Sequence, residues 1–183
     1  MEQTDYFQII NKYIEPGSKT YSIYLPHVTL VTTKALKIAQ KLNLSEKQLR
    51  FIEEAGMLHD IGIVRVKDEY FECAGKLPYI CHLSEGAKIL ESEGLPKHAR
   101  VAERHAGVGI FKWQIEQQKL LLPPKDYVPE TIEEKIIGWS DIFFSKTPRN
   151  LFRERSQEEA RTVIAKFGKE NEKIFDEWQK EFE

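Results

Sequence analysis

The stretch Ala55–Val66, AGMLHDIGIVRV, sets His59 and Asp60 at the end of an apolar run. Upstream of it, Leu49, Ile52, Ala55 and Leu58 recur at helical spacing, and Ser45 with Gln48 three residues on forms a capping box that starts the helix. Gly62 is placed to close that helix. His59 therefore falls on a buried stripe, beside a carboxylate that is costly to bury without a partner.

The same pattern recurs along the chain. From His27, the positions Val28, Val31, Ala35, Ile38, Ala39 and Leu42 trace a second helix face that ends near Asn43, with His27 inward one turn before Val31. In HLSEGAKILESEG, residues 82–94, Gly86, Ala87 and Leu90 lie near the His82 face and Gly94 is a C-cap. Pro96 suits the first turn of a helix on which Val101, Ala102 and His105 share a face. Thr131 with Glu134 caps another, where Ile137, Asp141 and Phe144 align. Ser156 with Glu159 caps one long amphipathic helix that ends at Phe182 and packs on the domain through Ala160, Val163, Ile164, Phe167, Ile174, Phe175 and Trp178. No run of period two, internal repeat or low-complexity segment is present. Residues 63–81 and 121–129 carry turn residues and no steady stripe, as functional lids do. The pattern predicts an all-α fold, one compact multi-helix bundle over residues 1–183.

With 183 residues, 41% of them hydrophobic, the chain is long enough to bury one core. Its 27 basic and 29 acidic residues are interleaved, which argues against a nucleic-acid polymer or a membrane surface as partner and for a small ligand. No apolar run reaches transmembrane length and the N-terminal MEQTDYFQIINKY is not a secretory leader, so the expectation is a soluble, cytoplasmic protein. Cys73 and Cys81 fall outside any metal or redox spacing and read as reduced, structural thiols.

Collecting the inward-facing polar residues gives His27, the pair His59-Asp60, His82, His105 and Asp141, each of these five from a different helix or helix end. Several buried imidazoles and carboxylates compete for too few partners unless a cation binds them together. His98, two turns before His105 on the same face, is the competing choice; its position near the helix start places it at the surface or a pocket rim.

The order and context of these residues resemble the HD-domain phosphohydrolase superfamily, in particular its HDIG group. His59-Asp60-Ile61-Gly62 spells that motif, and the helix at His27, HLSEGAKIL from His82, AERHAGVGI around His105 and IIGWSDIFFSK around Asp141 match the successive elements over about residues 20–147. Two departures stand out. Ile63 replaces the lysine of several cyclic-dinucleotide phosphodiesterases, and ERHAGVG has a single histidine where those enzymes carry a pair, so cleavage of a cyclic dinucleotide is not favoured.

The resemblance implies that His27, His59, Asp60 and Asp141 surround one metal, and that His82 and His105 complete a second with Asp60 as the bridge. Mixed imidazole and carboxylate ligands suit iron, manganese, zinc, nickel or cobalt. One or two such ions imply a phosphohydrolase acting on a phosphomonoester or phosphodiester, plausibly of a nucleotide, through a metal-bound hydroxide. The rival readings are a mixed-valent di-iron oxygenase of the same superfamily and a non-catalytic nucleotide-binding module. Arg104 and Lys146, close to ligands in sequence, are candidates to hold the substrate phosphate, as are Arg65, Lys76 and Arg149; each is equally a solvated charge. Trp113, Tyr127 and Trp139 read as core aromatics, with stacking on a base the rarer role, and Glu103 is a candidate acceptor behind a ligand.

Overall fold

The computed structural model describes residues 4–183. Residues 1–3, part of the expected 1–183 domain, lie outside the described residues. Helices follow one another as α1 (Tyr6–Tyr13), α2 (Lys19–Lys41), α3 (Glu46–Leu58), α4 (His82–Ser92), α5 (Pro96–Arg104), α6 (Lys112–Gln118), α7 (Ile132–Ile142), α8 (Gln157–Ala165) and α9 (Lys169–Phe182). The fold is all-α. The 63–81 segment also carries an antiparallel hairpin of two short strands, β1 (Lys67–Asp68) and β2 (Cys73–Ala74), too brief to show as a period in the sequence. No helix among the described residues is long and apolar enough to cross a membrane.

The capping boxes at Ser45, Thr131 and Ser156 all form, and Pro96 opens α5. Two helix boundaries differ from the sequence reading. α2 starts at Lys19, capped by Ser18, and runs through Pro26 to Lys41. Proline there removes one backbone bond, but Ile23, Tyr24, His27 and Val28 are all buried on one face, and that packing carries the helix across the gap. The long C-terminal helix is in fact two, α8 and α9, broken at Gly168, whose φ of 125° lies in the region open to glycine. Phe167 at the break is exposed instead of packed.

α2 and α3 lie at the centre. With α7, α8 and α9 they enclose one cluster that includes Val31, Ile52, Ile137, Trp139 and Phe175. With α1, α4 and α5 they enclose a second, around Tyr24, Leu58, Ile61, Leu90 and Ala102. The polar residues of interest lie on the same inner surfaces.

Candidate metal centre

α3 stops at Leu58, and His59 takes the C-cap position with Asp60 directly after it. Gly62 does not close α3 with a left-handed turn, as the sequence suggested. It sits in the short 3-10 turn Ile61–Arg65, where a Cβ would lie 2.0 Å from the His82 carbonyl oxygen and 2.5 Å from the Gly86 nitrogen. Glycine is required there because the Asp60 turn presses backbone to backbone against the start of α4, which brings Asp60 and His82 together.

Three imidazoles are aimed by the same local device. Nδ1 of His59 lies 2.6 Å from the Gly56 carbonyl oxygen, Nδ1 of His82 lies 2.6 Å from that of Tyr79, and Nδ1 of His105 lies 2.9 Å from that of Ala102. A carbonyl only accepts, so each Nδ1 carries the proton and each Nε2 presents its lone pair inward.

Those lone pairs converge on Asp60. Its Oδ1 is 3.5 Å from His82 Nε2 and 3.4 Å from His105 Nε2. Its Oδ2 is 3.3 Å from His27 Nε2 and 3.7 Å from His59 Nε2. Asp141 Oδ1 closes the second side, 3.0 Å from His27 Nε2 and 3.7 Å from His59 Nε2. Asp60 Oδ1, both ring nitrogens of His27, His59 Nε2 and Asp141 Oδ1 are buried without a hydrogen-bond partner, Asp60 Oδ2 has only the Lys146 ammonium, and His82 Nε2 faces His105 Nε2 at 3.3 Å. Buried acceptors turned on one another are costly, and a cation relieves them. The ligand atoms of His27, His59 and Asp141 lie within 4.8 Å of one another, as do those of His59, Asp60 and His105. The donor set fits a divalent transition metal; the two groups have His59 in common, and Asp60 turns one oxygen toward His27 and His59 and the other toward His82 and His105.

Electrostatics point the same way. Burial pushes the Asp60 carboxyl up, but the Lys146 ammonium and the surrounding imidazoles outweigh it and hold Asp60 well below the usual carboxylate range. Asp141 is likewise held down, against burial, by Lys146 and His27. His82 is driven down to about 3, chiefly by burial, and so stays neutral as a ligand must.

Of the candidate phosphate-binding residues, the structure brings Lys146 to the cluster, with Nζ 2.6 Å from Asp60 Oδ2. Arg104 is not brought there. Its guanidinium meets Glu130 at 2.6 Å and the Val128 carbonyl at 3.3 Å, because adjacent residues on a helix leave it about 100° apart and His105 takes the inward direction. Arg65, Lys76 and Arg149 are exposed. Glu103 pairs with Lys125 at 2.6 Å and stands behind no ligand.

His98 lies neither on the rim nor in the cluster. It is buried, 3.1 Å from Glu54 Oε2 and edge-on to Phe51. Glu54 and Phe51 also line a cavity of about 640 Å³, which lies at the opposite ends of α3, α5 and α7 from His59, His105 and Asp141. Tyr127 and Trp139 are core residues, while Trp113 is exposed.

One residue escaped the sequence reading. Tyr79 aims His82 with its backbone carbonyl and lays its ring on the imidazole, with centroids 4.5 Å apart. Its position three residues before a ligand at a helix start was the available signal.

Comparison with known proteins defines the class. The HD domain family matches residues 24–146, a span from just before His27 to Lys146, and the chain belongs to that family. A tRNA (cytidine(56)-2'-O)-methyltransferase of Thermoplasma volcanium is 34% identical over 161 residues, covering 84% of this chain and 42% of that protein. The enzyme of the same name from Picrophilus torridus is 36% identical over 124 residues, covering 67% of this chain and 32% of that protein. The chain thus spans less than half the length of either methyltransferase. An uncharacterized protein of Methanocaldococcus jannaschii is 39% identical over 115 residues, covering 62% of this chain and 60% of that protein. Among solved structures, the HD domain of the phosphodiesterase PgpH from L. monocytogenes shares the fold, with a TM-score of 0.55 at 18% identity over 94% of each chain. The same domain in complex with cyclic-di-AMP superposes with a TM-score of 0.54 at 16% identity, over 97% of this chain and 95% of that one.

Proposed function

We propose that the protein is a metal-dependent phosphohydrolase that cleaves a phosphomonoester or phosphodiester of a small phosphorylated molecule, a nucleotide in the first instance. The observation that carries the reading is the position of Asp60, with each carboxylate oxygen facing a different pair of imidazoles. In this reading His27, His59, Asp60 and Asp141 hold one cation, and His82 and His105 hold a second with Asp60 shared. A bound divalent metal supplies Lewis acidity toward a phosphoryl oxygen and toward water.

The remaining roles belong to the chain. The backbone carbonyls of Gly56, Tyr79 and Ala102 fix which imidazole nitrogen faces inward. Lys146, with three donors, contacts Asp60 and has donors left for a phosphoryl oxygen. Methyl transfer, the activity in the name of two relatives, we assign to the larger part of those proteins that this chain does not span.

The test is a screen of the chain loaded with Mn, Fe, Co, Ni or Zn against phosphomonoesters and phosphodiesters, with metal content measured in parallel. Turnover is expected with at least one metal, and Asp60→Ala abolishes turnover and lowers bound metal. A fully metallated protein inert toward every ester class, or one that consumes oxygen with an alcohol or phosphonate instead, overturns the reading.

A further inference from the structure

A row of rings leads outward from the metal centre. The His82 imidazole lies 4.5 Å from the Tyr79 ring, Tyr79 lies 6.2 Å from Phe71, and Phe71 lies 6.4 Å from Tyr70, all between centroids. His82 and Phe71 are buried, whereas Tyr79 is 37% and Tyr70 54% exposed. These exposed rings beside a buried polar cluster offer faces on which a planar group can stack. Beyond them is a shallow hollow of about 510 Å³, bounded by the β1–β2 hairpin on one side and by Thr147, next to Lys146, on the other.

The charges divide this mouth into two zones. Toward the metal centre stands the Lys146 ammonium, 6.0 Å from the Tyr79 ring centroid. Toward the hairpin stand Asp68 and Glu69 with the single cation Lys67, a net negative set that disfavours a phosphoryl group. Asp68 is occupied, accepting from the Tyr70 and Phe71 amides at 2.8 and 3.2 Å, and Glu69 is free to accept from a hydroxyl or amino group. A substrate whose phosphoryl group is drawn to Lys146 therefore extends its uncharged part along the rings.

We propose that the rings of Tyr79 and Tyr70, backed by buried Phe71, form the leaving-group subsite and that it selects phosphate esters bearing a planar base, that is, nucleoside phosphates over simple sugar phosphates. The proposal rests on the hydrolase reading for the place of the phosphoryl group. Stacking of a base on an aromatic side chain is strong enough to set such a preference.

Adenosine 5'-monophosphate and ribose 5-phosphate differ by the base alone and serve as probes. Their binding to the chelator-treated full chain is measured by calorimetry, and their kcat/KM on the manganese-loaded chain. Adenosine monophosphate is expected to bind at least about tenfold more tightly. Tyr79→Leu brings that ratio below about threefold, mainly through KM in the kinetic arm, while Tyr79→Phe keeps it. If Tyr79→Leu does not fold, Tyr70→Leu, at a more exposed ring, is expected to lower the ratio in the same way. A ratio near one in the wild type, no measurable binding of either probe, or a ratio unchanged by the leucine variants overturns the subsite. Absence of turnover with every metal removes the hydrolase reading instead, and the calorimetric ratio still decides whether the rings hold the base.

Discussion

Asp60 and the residues packed on it show how much of the site depends on single atoms. The candidate ligand set was legible because imidazoles and carboxylates on apolar faces stand out, and all six side chains lie together in the structure. The choice between the two flanking cations was not legible. Sequence proximity favoured Arg104 as much as Lys146, yet helix rotation turns Arg104 to Glu130, while Lys146, in the segment after α7, reaches Asp60. Lys146→Ala is expected to lower kcat/KM for a phosphate ester by about 10²-fold, whereas Arg104→Ala leaves turnover as it was; equal losses in the two variants argue against the assignment. Gly62 gives a second test. Because its missing Cβ would meet backbone atoms of His82 and Gly86, which cannot swing aside, Gly62→Ala is expected to cost about 3 kcal/mol in a denaturant titration and to displace His82 from Asp60. A variant of wild-type stability and metal content would show that the two segments need not touch.

Among the elements, starts were easier to read than ends. A capping box is a local signature, and those at Ser45, Thr131 and Ser156 all form where the sequence placed them. Thr131→Ala should cost about 1 kcal/mol and loosen α7, which bears Asp141. The break between α8 and α9 was hidden because apolar residues keep helical spacing across it, and one glycine inside such a pattern does not announce its φ. At Gly168 the backbone takes φ 125° and ψ 168°. That region is essentially closed to other residues, so Gly168→Ala is expected to lower stability by about 1–3 kcal/mol, read as a fall in Tm. An unchanged Tm would mean that α8 and α9 fuse into one continuous helix without penalty. The hairpin at 67–74 escaped notice for a different reason: strands of two residues have no period to detect.

The molecule as a whole couples proton uptake to folding through a pair remote from the metal centre. His98 is held below its ordinary value of 6.5 chiefly by burial, against the pull of Glu54. Below about pH 6.5 the unfolded chain takes up a proton that folded His98 refuses, so stability falls as pH drops, by up to about 1.4 kcal/mol per unit until the folded imidazole also protonates. Above pH 6.5 this contribution is absent. Denaturant titrations at pH 7.5 and 5.5 should show a smaller loss in His98→Gln than in the wild type; identical losses assign the pH dependence elsewhere. The sequence placed His98 at a rim because nothing in one dimension reveals that Glu54, forty-four residues earlier, comes to meet it. The arch from Val66 to Leu77 has a broader consequence. It leaves and returns at one point, where Lys67 N–H donates to the Leu77 carbonyl at 2.8 Å, Gly75 N–H donates to that of Val66 at 3.0 Å, and Gly75 has no room for a side chain against Arg65. Since its two feet stand together, the arch can be recut, extended or exchanged while Asp60 and His82 keep their separation. Diversity among relatives is therefore expected to gather there, so that one hearth of histidines can serve many different guests.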